Sequence, residues 1–138
     1  MIKRNAWKNI ETPLEFHEDD RGTIVDIFYK SHIEHVAIIR SKAGSIRGNH
    51  YHEESTQHML ITKGSLEYWY KKIDSDEIQC VIMQEGDIVS TPPYEVHALR
   101  IIDENEFIVF SEGLRGGRDY ESDTIRIDGN IIGGLENE

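Results

Sequence analysis

Four polar side chains in this sequence have the types and the spacing of a metal-binding site. His50 and His52 lie two residues apart, and Gln57 follows after a short polar stretch. Side chains on a β-strand alternate between its two faces, so both imidazoles would point to the same side. His97 comes much later in the chain. Three imidazoles and one amide oxygen that converge on a point would bind a divalent transition metal.

A plainer explanation of the histidine pair is that both rings face solvent beside Glu53 and Glu54. We favour the metal, because burying two unpaired imidazoles in an apolar interior is costly and a metal offsets that cost. His97 and the flanking glycines support the same interpretation independently. The remaining histidines are interpreted as structural residues: His17, His32, His35 and His58.

The elements that must position these side chains are short β-strands. Alternating polarity and β-branched residues predict strands at 24–29, 36–41, 58–62, 65–71, 78–83, 87–90, 96–102, 107–111 and 124–127. Lys63-Gly64 predicts a tight hairpin between two of them. No segment has the 3.6-residue apolar repeat of a long helix. The pattern predicts an all-β domain that is a sandwich, a jelly roll or a closed barrel.

Composition excludes several classes of function. A chain of 138 residues is expected to form one domain. Its net charge of −11 disfavours nucleic acid and anionic membranes as partners. Cys80 is the single cysteine, so no internal disulfide is possible and a reducing cytoplasm is expected. We see neither a signal peptide nor an apolar run of membrane-spanning length.

The expected domain organisation is a barrel with N-terminal strands over residues 1–127 and a flexible acidic tail over 128–138. Apolar residues of the tail could instead dock on the barrel surface: Ile131, Ile132 and Leu135. Trp69 is interpreted as a half-exposed packing residue, with contact to a partner subunit as the alternative. Arg115 and Arg118, in a glycine-rich segment, are left open between a surface turn and an anion-binding loop.

Two longer patterns contain the candidate ligands. Residues 44–64 read Gly-x5-His-x-His-x4-Gln-x6-Gly, which resembles the first motif of the cupin superfamily. Residues 86–97 read Gly-x5-Pro-x-Tyr-x2-His, which resembles the second. The chain departs from the motifs at three positions: Gln57 replaces the usual Glu, Tyr94 an inner glycine and Ile101 a final asparagine.

This resemblance implies a single-domain cupin jelly-roll barrel, or double-stranded β-helix, with one divalent metal of unknown identity: Zn, Ni, Fe, Mn or Co. The implied ligands are His50, His52, Gln57 and His97. Because Gln57 is neutral, the protein would leave the charge of the metal uncompensated. Such a centre binds its metal more weakly and is a stronger Lewis acid toward anionic or carbonyl ligands.

Shorter matches resemble the sugar-nucleotide branch of the cupins, which includes dTDP-4-dehydrorhamnose 3,5-epimerase, the dTDP-sugar 3,4-ketoisomerases and the capsular-polysaccharide epimerase cupin domain. These matches are Asp20-Arg21-Gly22 and the segment Arg47-Gly48-Asn49-His50-Tyr51-His52. The resemblance implies that Arg21 and Arg47 contact phosphate, a role that suits the arginine fork. Arg21 could equally be a turn residue paired with Asp19 or Asp20.

The expected function is epimerisation or isomerisation of a nucleotide sugar next to a ketone, in surface-polysaccharide biosynthesis. A bound metal would polarise the ketone, and a base would move the neighbouring proton. Since His50 cannot easily be both ligand and base, the candidate bases are Tyr51, Tyr94 and His58, and Tyr94 is also a candidate substrate contact. The alternatives are a metal-dependent oxygenase and a non-catalytic module that binds a small ligand. A homodimer is expected in each case.

Overall fold

The computed structural model describes residues 1–113 and 122–133, and the elements in this part of the chain are β-strands. In chain order they are β1 Ile2–Asn5, β2 Phe16–Asp19, β3 Gly22–Val25, β4 His35–Ser41, β5 Ile46–Tyr51, β6 Thr56–Lys63, β7 Leu66–Lys72, β8 Gln79–Met83, β9 Asp87–Thr91, β10 Glu95–Ile101, β11 Asn105–Glu112 and β12 Ile125–Arg126.

Two five-stranded sheets form the body of the protein. The first has the order β1-β9-β6-β11-β4, and the second has the order β12-β5-β10-β7-β8. The strand pairs are antiparallel, and β2 with β3 forms a separate hairpin. This is the all-β arrangement that the sequence predicted. No helix in the described part of the chain is long and apolar enough to cross a bilayer.

The core lies between the sheets and follows from the alternation of side chains. On β11, every second residue from Asn105 to Ser111 is buried, while the residues between them are partly exposed. Residues of both sheets meet in one apolar cluster that includes Ile61, Tyr68 and Phe107. Removing this apolar surface from water stabilises the pairing of the two sheets.

The β6–β7 hairpin has the glycine that its geometry requires. Gly64 has a φ of +80°, in the left-handed region. A Cβ atom there would lie 2.5 Å from the carbonyl oxygen of Glu104, so a side chain cannot fit. The hairpin predicted at Lys63-Gly64 is confirmed.

The strand predicted over 24–29 is shorter than expected, because β3 ends at Val25. The chain then turns onto the outer face of the first sheet. The Phe28 ring contacts the rings of His58 and Phe110 there, with centroid separations of 4.9 Å in both cases. These outer residues bury apolar surface without joining a strand ladder. The short strands β1 and β2 carry no long alternation and were not predicted.

The C-terminal segment covers the outer face of the second sheet. Ile131 and Ile132 are buried there against Val96 and Ala98 of β10. Trp69 is partly buried in the same cluster, so the packing interpretation of this residue agrees with the structure. The predicted last strand is present as β12. Arg115, Arg118 and Leu135 lie outside the described residues.

Candidate metal centre and substrate cavity

The three histidines predicted as ligands come together inside the barrel. His50 on β5 is the Cα partner of His97 on β10, and His52 follows the end of β5. One ring nitrogen from each can be chosen so that all three lie within 4.8 Å of one another. All three side chains are buried. The convergence expected from the sequence is therefore present.

A β-bulge brings these histidines to the same point. The β5–β10 register shifts between His97 and Ala98, where Gly48 and Asn49 stand on the opposite strand. Both residues have positive φ values, +85° for Gly48 and +67° for Asn49. A Cβ at Gly48 would lie 2.9 Å from the carbonyl oxygen of His97, so only glycine permits this approach of the strands. The bulge sets the direction of His50, the next inward-facing residue.

Hydrogen bonds fix which nitrogen of two rings can bind a metal. His52 Nδ1 lies 2.9 Å from the carbonyl oxygen of Asp123, and His97 Nδ1 lies 3.1 Å from that of Glu95. A carbonyl oxygen only accepts, so both Nδ1 atoms must carry the proton. In a neutral ring Nε2 then has the lone pair. This is the arrangement that orients histidine ligands in metal sites, and the residues fit a metal.

Burial also favours the ligand form of His97. The pKa of His97 is lowered to about 4, and removal of the ring from solvent is the largest cause. The hydrogen bond to the Glu95 carbonyl raises this pKa and the neighbouring His52 lowers it, both by less. The ring is therefore neutral at physiological pH, as a metal ligand has to be.

The fourth predicted ligand, Gln57, lies on the opposing sheet. Its strand, β6, belongs to the first sheet, and its side chain lines the same cavity as His50 and His97. Coordination by Gln57 stays a prediction.

This cavity has a volume of about 380 Å³ and lies between the two sheets. Its lining includes His50, His97 and Gln57 and two arginines, Arg47 and Arg126. None of the described residues that line it carries a negative charge. The remaining lining residues are Gly48 and six apolar residues: Ile39, Ile46, Met59, Leu99, Phe107 and Val109.

Arg47 is held at the cavity by two residues of β4. Its Nε donates to Ser41 Oγ at 2.7 Å, and its Nη2 donates to the carbonyl oxygen of Arg40 at 3.3 Å. Arg126 is a lining residue that the sequence analysis missed. Its position follows from the pairing of β12 with β5, in which Arg126 is the Cα partner of His50. The sequence predicted a strand at this place, but it did not predict that the strand pairs with β5.

Arg21 does not lie at this cavity within the chain. It occupies the β2–β3 turn, where its Nη2 and Nε donate to Asp19 Oδ2 at 2.6 and 3.2 Å. This is the turn pairing that was the alternative to a phosphate contact. The residue lines a separate depression with His17 and Thr23.

The three candidate bases lie outside the lining of the cavity. His58 faces the outer side of β6, where it hydrogen bonds with Ser90 and Glu112. The reason is strand alternation, since Gln57 next to it faces inward. Tyr94 is 49% exposed and stacks on Tyr51 at a centroid distance of 6.2 Å. These residues are therefore not among those that line the cavity, and a role as the base stays a prediction.

Comparison with known proteins identifies the class to which this fold belongs. The fold is that of the cupin-type sugar-nucleotide epimerases and isomerases, so the resemblance in the sequence is confirmed. Residues 17–112 match the model of the polysaccharide biosynthesis C-terminal domain family. Since this match covers more than half of the chain, the protein belongs to that family.

Three solved structures illustrate the similarity. The dTDP-4-dehydrorhamnose 3,5-epimerase of Sulfolobus tokodaii is 16% identical, with a TM-score of 0.67 and coverage of 83% of this chain and 82% of that chain. A mutant of the 3,4-ketoisomerase QdtA of Thermoanaerobacterium thermosaccharolyticum, in complex with TDP-4-keto-6-deoxyglucose, is 17% identical, with a TM-score of 0.67 and 83% coverage of both chains. The capsular polysaccharide assembling protein CapF of Staphylococcus aureus is 21% identical, with a TM-score of 0.61 and coverage of 85% of this chain and 35% of that chain.

A curated relative is also similar in sequence. It is the UDP-2-acetamido-2,6-beta-L-arabino-hexul-4-ose reductase of Pseudomonas aeruginosa, 25% identical over 95 residues. The match covers 67% of this chain and 26% of the relative, so the chain spans about a quarter of that protein.

Proposed function

We propose that this protein is a metal-dependent epimerase or isomerase that acts on a nucleotide sugar next to a ketone. The observation that carries the proposal is the cavity, which is lined by two arginines and by His50 and His97, two members of the three-histidine centre. The similar folds of a dTDP-sugar epimerase and a ketoisomerase support the class of substrate. The family match supports a place in polysaccharide biosynthesis.

The arginines supply the attraction for an anionic substrate. The protein as a whole has a net charge of −11 and repels anions at long range. Arg47 and Arg126 bring two guanidinium groups to the cavity, and none of the described residues that line it has a carboxylate. A guanidinium can form two parallel hydrogen bonds to phosphate oxygens. We assign the diphosphate of the substrate to this arginine pair.

The apolar walls and the histidine centre would position the sugar. A divalent metal such as Zn, Ni, Fe, Mn or Co, held by His50, His52, Gln57 and His97, would act as a Lewis acid toward the ketone oxygen. Met59, Leu99 and Phe107 give this cavity apolar walls, against which the sugar ring would pack.

A binding module without catalysis is the second candidate. It is favoured by the position of the candidate bases, because Tyr51, Tyr94 and His58 do not line the cavity. A ligand could then be bound without loss of a carbon-bound proton. The same experiment separates the two candidates.

The experiment incubates the zinc-loaded protein with TDP-4-keto-6-deoxyglucose in deuterated water. Mass spectrometry and proton NMR then measure deuterium at the carbons next to the ketone, and thermal shift measures binding. We expect binding and exchange in the wild-type protein and a loss of both in Arg47→Ala. The matched control is Arg40→Ala, because Arg40 is exposed and paired with Glu106 on the outer face.

The outcomes are distinct. Exchange that depends on Arg47 supports the isomerase. Binding without exchange supports the binding module and contradicts catalysis on this substrate. Absence of both, with a folded protein, contradicts the assignment of the cavity to 4-keto nucleotide sugars.

We also propose a homodimer. Edge strand β4 exposes Val36 and Ile38, 57% and 62% accessible, on the outer face of the first sheet. Covering these side chains with a second copy would remove apolar surface from water. Light scattering after size exclusion is expected to give twice the chain mass, and Ile38→Glu is expected to shift it to the monomer. A monomeric wild-type protein would contradict the proposal.

A further inference from the structure

We infer that Asp123 is a positioning residue that holds His52 in place with Nε2 directed to the metal centre. This inference rests on the proposed function, because it assumes that His52 is a ligand. Asp123 lies 71 residues beyond His52, in the segment that leads into β12. Neither motif pattern in the sequence includes it.

The carboxylate of Asp123 holds the turn that follows His52. Its Oδ1 accepts the backbone N–H groups of Glu53 and Glu54 at 2.9 and 3.1 Å. Its Oδ2 accepts the backbone N–H of Ser55 at 2.9 Å and the Ser55 hydroxyl at 2.6 Å. Three successive N–H groups directed at one anion form an anion-binding nest. The conformation of residues 53–55 is thereby tied to one buried side chain.

The backbone of Asp123 holds the ring itself. Its carbonyl oxygen accepts the Nδ1–H of His52 at 2.9 Å, in a buried environment. The same residue therefore contacts the ligand through its main chain and the turn after the ligand through its side chain. If the carboxylate loses its partners, the carbonyl moves with it, and the ring loses the acceptor that fixes its protonated nitrogen.

The charge of Asp123 is also stabilised. Burial is the largest single effect and raises the pKa of the carboxyl, but the hydrogen bonds from Ser55 and from the three backbone N–H groups together lower it by more. The net pKa of Asp123 lies below its usual value, so the group is ionised at neutral pH. An amide in its place would have one oxygen and one N–H₂ group. The N–H₂ group cannot accept a hydrogen bond from a backbone N–H.

The test uses Asp123→Asn, which preserves the size of the side chain. The control is Asp87→Asn, because Asp87 also accepts a backbone N–H, that of Gln84 at 2.8 Å, and an amide N–H from Asn5 at 3.1 Å, but in a turn that does not line the cavity. The first readout is the ¹⁵N spectrum of the His52 ring in the metal-free protein, assigned with His52→Asn. The second is zinc affinity, measured by competition with a chelator.

We expect wild-type His52 to carry its proton on Nδ1, and Asp123→Asn to populate the other tautomer. Zinc affinity should fall by about 10- to 100-fold, the usual effect of removing a residue that orients a ligand. Asp87→Asn should leave the tautomer and the affinity unchanged. If Asp123→Asn does not fold, Ser55→Ala removes one of the five interactions and should give a smaller change in the same direction.

Two results separate this inference from the proposed function. A wild-type protein that binds no zinc but has the Nδ1–H tautomer, lost in Asp123→Asn, contradicts the metal and supports the positioning role. A folded Asp123→Asn protein that keeps the tautomer and the zinc affinity of the wild type overturns the inference.

Discussion

The backbone N–H of Tyr94 donates a hydrogen bond to the backbone carbonyl oxygen of His52 at 2.7 Å. This bond joins the loop before β10 to the end of β5, and thus connects the two segments that carry the histidine centre. Tyr94 makes it with a φ of +65°, in the left-handed region. The cupin motif has glycine at this position, so the backbone of the motif is retained here by a residue with a Cβ.

The first prediction concerns the strain at Tyr94. A non-glycine residue in the left-handed region costs about 1–2 kcal/mol. Tyr94→Gly and Tyr94→Ala both remove the ring contact with Tyr51, but only the glycine relieves the strain. We therefore expect the glycine variant to be more stable than the alanine variant by about 1 kcal/mol in urea unfolding. At positions with negative φ, alanine is usually more stable than glycine. A Tyr94→Ala variant more stable than Tyr94→Gly would therefore contradict the left-handed conformation.

The second prediction concerns the charge of the metal centre. Gln57→Glu places a carboxylate on the same cavity as His50 and His97. The negative charge should tighten zinc binding by roughly tenfold, which corresponds to about 1.4 kcal/mol. Chelator competition measures this change. Gln84→Glu is the control, because Gln84 is exposed in the turn before β9. Equal affinities for the wild type and Gln57→Glu would argue against Gln57 as a ligand.

The third prediction is a loss of stability in acid that depends on His97. The pKa of His97 in the folded protein is about 4, below the ordinary histidine value of 6.5, so between these two pH values the unfolded chain binds more protons than the folded chain. The contribution of the neutral His97 ring to the free energy of unfolding is fully present above pH 6.5 and is lost as the pH falls to 4. It amounts to about 3 kcal/mol, at 1.36 kcal/mol for each pKa unit.

Urea unfolding of the metal-free protein between neutral pH and the folded pKa measures this effect. His97→Asn should reduce the pH dependence by that amount, whatever its effect at neutral pH. His32→Asn is the control for removing an exposed imidazole, because His32 is exposed in the loop before β4. A His97→Asn protein with the wild-type slope would place the origin of the acid sensitivity elsewhere.

The sequence was sufficient for the parts of the site that depend on local spacing. His50 and His52 share a face because strand side chains alternate, and His58 faces away for the same reason. The turn at Gly64 was predictable from its residue type. Asp123 and Arg126 were not, because their roles arise from pairing with a segment far away in the chain. Which strand lies beside β5 depends on the packing of two whole sheets, and no local pattern encodes it.

The last prediction concerns Arg126, which only the three-dimensional structure brought into the site. Arg126 lines the cavity together with Arg47, whereas Arg21 lies in a separate turn with Asp19. If this pair binds the diphosphate, Arg126→Ala should weaken binding of TDP by about 1.5–3 kcal/mol, the usual contribution of a hydrogen bond to a charged group.

Isothermal titration with TDP measures this difference, at low salt and again at high salt. The wild-type affinity should fall as salt rises, and the fall should be smaller in Arg126→Ala, since one charge is missing. Arg40→Ala should behave like the wild type, because Arg40 pairs with Glu106 away from the cavity. The TDP affinity of Arg21→Ala decides where the phosphate binds. An unchanged affinity places it at Arg47 and Arg126 of one chain, and a loss equal to that of Arg126→Ala would require the β2–β3 turn to reach a nucleotide site.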